Sequence, residues 1–269
     1  MPASLDPQGR LDLGAYFARI GFPGPGTPDV GTLEALCLRH AGAIPFENLD
    51  PLAGRAVDLE LGALEAKLVK GGRGGYCFEH NLLFGAVLER LGLGVELREA
   101  RVLRGVAEGQ VLPRTHGVLE VEAGGRGWLV DVGFGAEGLL GPVPLDGTPV
   151  HRHGETWRLR EDGRLQADLG QGWVDLYELQ PARVFAVDWR MANHFTATHP
   201  DSRFRKTLTV QVAVPGARRA LRGLTLALPG VPDRAVDPGD LPEIIRSVFG
   251  LDPGPGLLDV CIKRLKDNG

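Results

Sequence analysis

The stretch Arg73-Gly74-Gly75-Tyr76-Cys77-Phe78-Glu79-His80-Asn81 decides how the chain is read, because it sets a thiol directly after two glycines and at the start of an apolar helical pattern. Downstream, Phe78, Leu82, Leu83, Val87 and Leu91 recur at helical spacing, Gly92 supplies a C-terminal cap, and Gly74-Gly75 breaks regular structure beforehand. Cys77 is therefore predicted at a helix N-terminus. Unpaired backbone N–H groups and the positive end of the helix dipole favour a thiolate there, which makes Cys77 the candidate nucleophile.

Up to Gly92 the surrounding signals are mainly helical, over residues 11–20, 32–41 with Thr32 as N-cap, and 61–69 ending at Gly71-Gly72. Beyond Gly94 they change to short runs of period two over residues 95–102, 117–121, 128–132, 156–159, 164–167 and 173–176, which read as an antiparallel sheet or barrel. A connecting helix over 188–198, strands over 207–214 and 224–228, and a helix over 241–249 complete a mixed final third. The expected division is 1–92, 93–187 and 188–269, in an α+β chain.

Length and composition fit an enzyme with a substantial core. At 269 residues the chain is long enough for two or three packed subdomains, and its 39 glycines and 20 prolines are spread out, implying many turns and no disordered tract. A net charge of −4 with interspersed signs lacks the basic footprint of a nucleic-acid binder. The N-terminal ten residues show no basic segment followed by an apolar core, and no apolar run is long enough to span a bilayer, so a cytoplasmic location is the default and no membrane partner is expected. Cys37, Cys77 and Cys261 are widely separated, which disfavours disulfides and cysteine-based metal sites. Cys37 lies on an apolar helix face with Leu33, Leu36 and His40, and Cys261 among Leu257, Leu258, Val260 and Ile262; both read as packing thiols.

A nucleophilic cysteine needs a base, and the base needs an orienting group. Among the seven histidines, His80 lies one turn past Cys77 but on the same helix, whereas His116 opens a hairpin whose arms are His116-Gly117-Val118-Leu119-Glu120-Val121 and Trp128-Leu129-Val130-Asp131-Val132-Gly133-Phe134. With Gly124-Gly125 as a two-residue turn, Val118 faces Asp131 and Gly133 faces His116. His116 and Asp131 are then diagonal neighbours on one face, with Cα atoms on the order of 7–8 Å apart. A different turn would make them direct partners, whereas a one-residue slip would put them on opposite faces. Asp131 is a carboxylate in an apolar strand, and an orienting contact to His116 would satisfy it.

With Arg73-Gly74-Gly75-Tyr76-Cys77, Thr115-His116 and Val130-Asp131-Val132-Gly133-Phe134-Gly135 in view, the chain resembles the arylamine N-acetyltransferase family. Ile44-Pro45-Phe46-Glu47-Asn48-Leu49 resembles that family's signature upstream of the cysteine, and Ala192-Asn193-His194-Phe195-Thr196-Ala197-Thr198-His199-Pro200 the segment leading into its third domain. The resemblance implies an N-terminal helical bundle, a central antiparallel β-barrel and a C-terminal α/β lid. These would surround a Cys-His-Asp core like that of cysteine proteases, formed by Cys77, His116 and Asp131. It implies acetyl-CoA as acetyl donor, no metal, and ping-pong transfer through a Cys77 thioester to arylamines, arylhydrazines or N-hydroxyarylamines. Phe46, Phe134 and Phe204 would line the acceptor pocket, and Thr115 and Gly135 would lie at the CoA cleft. Arg73 and Glu79 are read as a charged pair supporting the thiol loop. Many members of the family carry two arginines before the glycine pair, where this chain has Gly72 and Arg73. Two rival readings share the Cys-His-Asp order, an amide synthase using a carrier-bound acyl chain and a papain- or transglutaminase-like cysteine hydrolase.

Overall fold

The computed structural model describes residues 4–24, 26–107 and 109–268; of the N-terminal stretch read above, residues 1–3 lie outside the described residues. The first third is helical, with α1 over Leu13–Ile20, α2 over Val30–Ala43, a short α3 over Leu49–Ala53, α4 over Leu61–Leu64 and α5 over Cys77–Arg90. Helix α2 begins before the expected Thr32. The Asp29 carboxylate accepts the Thr32 N–H at 2.8 Å, and a charged cap there also opposes the helix dipole. The stretch read as one helix over 61–69 is α4 followed by a π-helical turn, Glu65–Lys70, a rare widening that is frequent near functional sites.

Between α2 and α3 lies a two-residue strand, β1, Phe46–Glu47. The eight strands that follow are β2 Gly94–Val102, β3 His116–Ala123, β4 Arg126–Val130, β5 Val143–Pro144, β6 Val150–Arg152, β7 Glu155–Leu159, β8 Arg164–Asp168 and β9 Trp173–Leu179. They form one antiparallel sheet in the order β5-β4-β3-β2-β9-β8-β7-β6, curled so that β5 lies against β7 and the barrel nearly closes. Its interior is filled by Val118, Leu129, Trp157, Leu165, Leu176 and Tyr177, all buried. The hairpin register is the one the glycine turn dictates: Ala123 pairs with Arg126, Val121 with Trp128 and Leu119 with Val130, while Gly124 and Gly125 take φ of 61° and 72°. The ladder stops at Val130, one residue short of Asp131.

Helix α6, Ala186–Thr198, leads to a second antiparallel sheet of β10 Thr209–Val212, β11 Arg219–Arg222, β12 Thr225–Ala227 and β13 Arg234–Ala235, backed by α7 Leu241–Phe249 and α8 Pro255–Asn268. One edge of this sheet is β1, with Phe46 opposite Gln211 and Glu47 opposite Val210, and the other is β13. Leu49 and Leu52 of α3 likewise share a core with Val210, Leu221, Ile245, Leu257 and Cys261. Each such side chain contributes about 1.5–3 kcal/mol by leaving water, which ties the thiol-bearing region to the end of the chain. No helix among the described residues is long and apolar enough to cross a membrane.

Candidate active site

Cys77 is the first residue of α5, as its sequence context implies. The helix start is held in three ways. Glu79 accepts the Tyr76 N–H at 3.0 Å and is itself bound by Lys67 at 2.6 Å. Lys67, within the π-helical turn, also meets Asp50 at 2.8 Å. Arg73 binds Glu47 at 2.6 Å and Asp50 at 3.0 Å. Arg73 and Glu79, expected to pair with each other, therefore pair elsewhere, because Glu47 of β1 and Lys67 of the π-turn supply closer counter-charges.

Of the two glycines before the thiol, Gly74 is required by the approach of β1 and Gly75 by the Glu79 side chain, whose carboxylate would lie 2.6 Å from a Cβ there. Gly75 forms a parallel bridge to Phe46, and the Glu47 N–H reaches the Gly75 carbonyl at 2.7 Å. A Cβ on Gly74 would stand 1.9 Å from the Pro45 carbonyl oxygen, so no other residue fits without moving the loop. This contact explains why the Ile44 to Leu49 motif and the glycine pair belong together. On the opposite side Gly133 crosses over α5 so closely that a Cβ would lie 2.7 Å from the Cys77 Cα.

His116 and Asp131 meet as the hairpin register implies. The imidazole Nε2 lies 2.7 Å from the Asp131 carboxylate, both groups are buried, and the other ring nitrogen is left for the Cys77 thiol. The Asp131 carboxylate also accepts the Asn81 amide and the Gly133 N–H, each at 2.9 Å. Burial opposes charge on His116, but the Asp131 carboxylate and the hydrogen bonds to Asp131 and Cys77 outweigh it and lift the imidazole to about 10. Burial likewise opposes ionisation of Asp131, yet His116 and the hydrogen bonds from Asn81 and Gly133 hold it below the ordinary carboxylate range. The arrangement is a charged imidazolium facing a sulfur at a helix N-terminus. The Cys77 Sγ also lies 3.6 Å from the Thr115 carbonyl.

Thiol and imidazole open into a cavity of about 560 Å³. Phe46, Phe134 and Phe204 line it together with Thr115, as do Arg104, Arg203 and Arg222. Phe134 packs edge-on to His116 at 5.2 Å, and Phe46 meets Phe204 at 5.8 Å, so the apolar side of the cavity is aromatic and adjoins the sulfur. Gly135 is not brought to this cavity; it lies beneath Phe134 against Gln211, which accepts the neighbouring Ala136 N–H at 2.8 Å.

Two residues escaped the sequence reading. Asn81, one turn after Cys77, donates to Asp131 and to the Gly117 carbonyl at 2.7 Å and accepts the Val132 N–H at 3.0 Å, joining the thiol helix to both hairpin arms. Its signal was present: an amide on the same buried helix face as the thiol. Tyr177, packed 4.9 Å from His116 and 5.3 Å from Phe134, carried no signal beyond its place in a strand.

The profile of a family described as N-acetyltransferase matches residues 29–254. The arylamine N-acetyltransferase of Mycolicibacterium smegmatis is 46% identical over 228 residues, covering 81% of this chain and 82% of that protein. The arylamine N-acetyltransferase of Escherichia coli is 40% identical over 202 residues, covering 73% of this chain and 71% of that protein. The solved arylamine N-acetyltransferase of M. tuberculosis superposes with a TM-score of 0.89 at 38% identity, covering 95% of this chain and all of that one. The enzyme of Mycobacterium marinum in complex with CoA superposes with a TM-score of 0.88 at 37% identity, over 94% of this chain and 99% of that one. Sequence, fold and site agree, and the chain belongs to the arylamine N-acetyltransferase family of acyltransferases.

Proposed function

We propose that the protein carries an acetyl group from acetyl-CoA to arylamines, arylhydrazines or N-hydroxyarylamines by a ping-pong reaction through Cys77. The observation that carries this reading is the charged His116 between Asp131 and a thiol that opens on an aromatic-walled cavity.

In the first half-reaction the Cys77 sulfur attacks the thioester carbonyl carbon. The carbonyl becomes an oxyanion that the Cys77 N–H, first in α5 and without an intrahelical partner, is placed to receive. The carbon–sulfur bond to CoA breaks, and His116 gives its proton to the departing CoA thiolate. In the second half-reaction the acceptor amine attacks the acetyl-Cys77 carbonyl. His116 takes the amine proton, and the Cys77 thiolate leaves to restore the starting pair. Asp131 keeps the imidazole oriented and favours its charged form in both halves.

Phe46, Phe134 and Phe204 supply ring faces and edges for an aryl acceptor. Thr115 lines the cavity with Arg104, Arg203 and Arg222, cations that suit the phosphates of CoA. The three cysteines are unpaired among the described residues, which accords with a reducing cytoplasm.

Incubation with acetyl-CoA alone, read by intact mass, is expected to add one acetyl group to the wild type and none to Cys77→Ala, and addition of an arylamine is expected to remove it. Wild-type protein that stays unmodified with its thiol reduced overturns the proposal.

A further inference from the structure

On the face of α5 turned away from Asp131 stands a second histidine that the acyl-transfer steps do not use. His80, one turn past Cys77, is fully buried, and its Nε2 lies 3.0 Å from the Gly75 carbonyl oxygen and 3.2 Å from that of Pro45. Two carbonyls can only accept, so Nε2 carries the proton and Nδ1 must accept. The partner of Nδ1 is His40 Nε2 at 2.8 Å, which therefore donates. His40 Nδ1 in turn accepts from the Tyr16 hydroxyl at 2.8 Å. Geometry thus permits one proton order along the chain, from Tyr16 through His40 to His80. All three side chains are fully buried and each link is satisfied.

The two carbonyls belong to the loops that frame the thiol. Gly75 stands two residues before Cys77, and Pro45 immediately precedes Phe46 of the cavity wall. Among the described residues, the Glu47 N–H to Gly75 carbonyl bond at 2.7 Å and the Gly75 N–H to Pro45 carbonyl bond at 3.3 Å join the backbones of these loops. The Phe46 ring lies parallel to the His80 ring, with centroids 6.4 Å apart and planes within 10°.

We propose that His80 is a positioning residue of the acyl-transfer site, a clamp whose single Nε2 proton holds the Pro45 and Gly75 carbonyls together, with Tyr16 and His40 fixing that proton in place. It rests on the reading of Cys77 as the acyl carrier. The clamp sets the spacing between Cys77 and the Phe46 wall, and reacting groups lose rate steeply when spacing drifts. Glutamine at position 80 can return an N–H to the Nε2 position, whereas phenylalanine keeps only the packing.

His80→Phe is expected to slow Cys77 acetylation by acetyl-CoA at least about tenfold, and His80→Gln to remain within about threefold of the wild type. The Glu47 and Gly75 amides are expected to exchange with solvent faster in the phenylalanine variant only. Wild-type rates in His80→Phe, or equal loss in both variants, overturn the clamp. Independently of folding and activity, ¹⁵N imidazole shifts of the wild type at neutral pH are expected to show His40 and His80 as neutral Nε2–H tautomers. An Nδ1–H tautomer or a charged ring at either position overturns the proposal. If wild-type protein takes up no acetyl group, the functional reading fails, while the imidazole shifts and amide exchange still judge the clamp.

Discussion

Cys77 stands between two buried histidines that burial treats alike and their partners treat oppositely. On the barrel side His116 faces the Asp131 carboxylate and the thiol and is lifted to about 10. On the bundle side burial drives His80 down to about 4, opposed by the Pro45 and Gly75 carbonyls and, more weakly, by the Asp131 charge, and reinforced by the charge of Lys67. His40 behind it is held well below the ordinary histidine range by burial, with the charges of His80 and Arg19 pushing the same way. A carboxylate turns a buried imidazole into a stable cation, whereas neutral acceptors leave it a neutral donor. One side suits charge and proton transfer; the other suits fixed geometry.

The comparison breaks most severely when the carboxylate is removed. Asp131→Asn keeps the shape and deletes the charge that makes His116 a cation, and kcat/KM for acetyl transfer is expected to fall on the order of 10³-fold or more. Steady-state rates with an arylamine acceptor measure this, and a loss below about tenfold would show that His116 is held charged by something else. Asn81→Ala is expected to cost less, about 10–100-fold, because it leaves the carboxylate in place but strips one partner each from Asp131, Gly117 and Val132. A wild-type rate in that variant would reduce Asn81 to packing.

The same opposition shapes stability against pH. The folded value of His116, about 10, lies above its ordinary 6.5, so the native state holds that proton more tightly. Its contribution is complete below about pH 6.5 and is lost as pH rises toward 10. The folded value of His80, about 4, lies below 6.5, so the native state resists that proton and loses stability as pH falls from 6.5 toward 4. The lowered carboxyl of Asp131 acts below its ordinary 3.8, outside this window. Thermal melts are expected to give a dome near pH 6.5, with the alkaline limb flattened in Asp131→Asn and the acid limb partly flattened in His80→Gln, where His40, held low by the same burial, keeps its share of the limb. Limbs unchanged in both variants would assign the dome to other groups.

How much of this could be read in advance depended on distance along the chain. The hairpin was legible because two adjacent glycines favour a two-residue turn, and that turn fixes register through to His116 and Asp131. The helix start at Cys77 was legible for the same local reason. The strand β11, Arg-Ala-Leu-Arg, was not, since two apolar residues carry no period. Nor was β1, whose pairing joins Phe46 to Gln211 across the chain. His40 and His80 each read as a residue on its own helix, and only the packing of α2 on α5 makes them a hydrogen-bonded pair. Asn81 lay in plain sight in the opening motif, but helical periodicity counts apolar residues and passes over the polar one that holds Asp131.

The smallest expected effect concerns the cavity wall farthest from either histidine. Phe204 is partly buried, meets Phe46 at 5.8 Å and Tyr76 at 5.4 Å, and has its carbonyl held by the Asn48 amide at 2.9 Å. Phe204→Leu keeps the apolar surface and loses the aromatic edge contacts, worth about 0.5–1.5 kcal/mol for each aromatic pair. If Phe204 belongs to the acceptor wall, KM for an arylamine should rise about 3–10-fold while the rate of Cys77 acetylation by acetyl-CoA stays the same. Equal losses in the two half-reactions would instead place Phe204 with the scaffold of the thiol loop through Tyr76. The acceptor pocket would then be bounded by Phe46 and Phe134 alone, one ring on the bundle side and one on the barrel side.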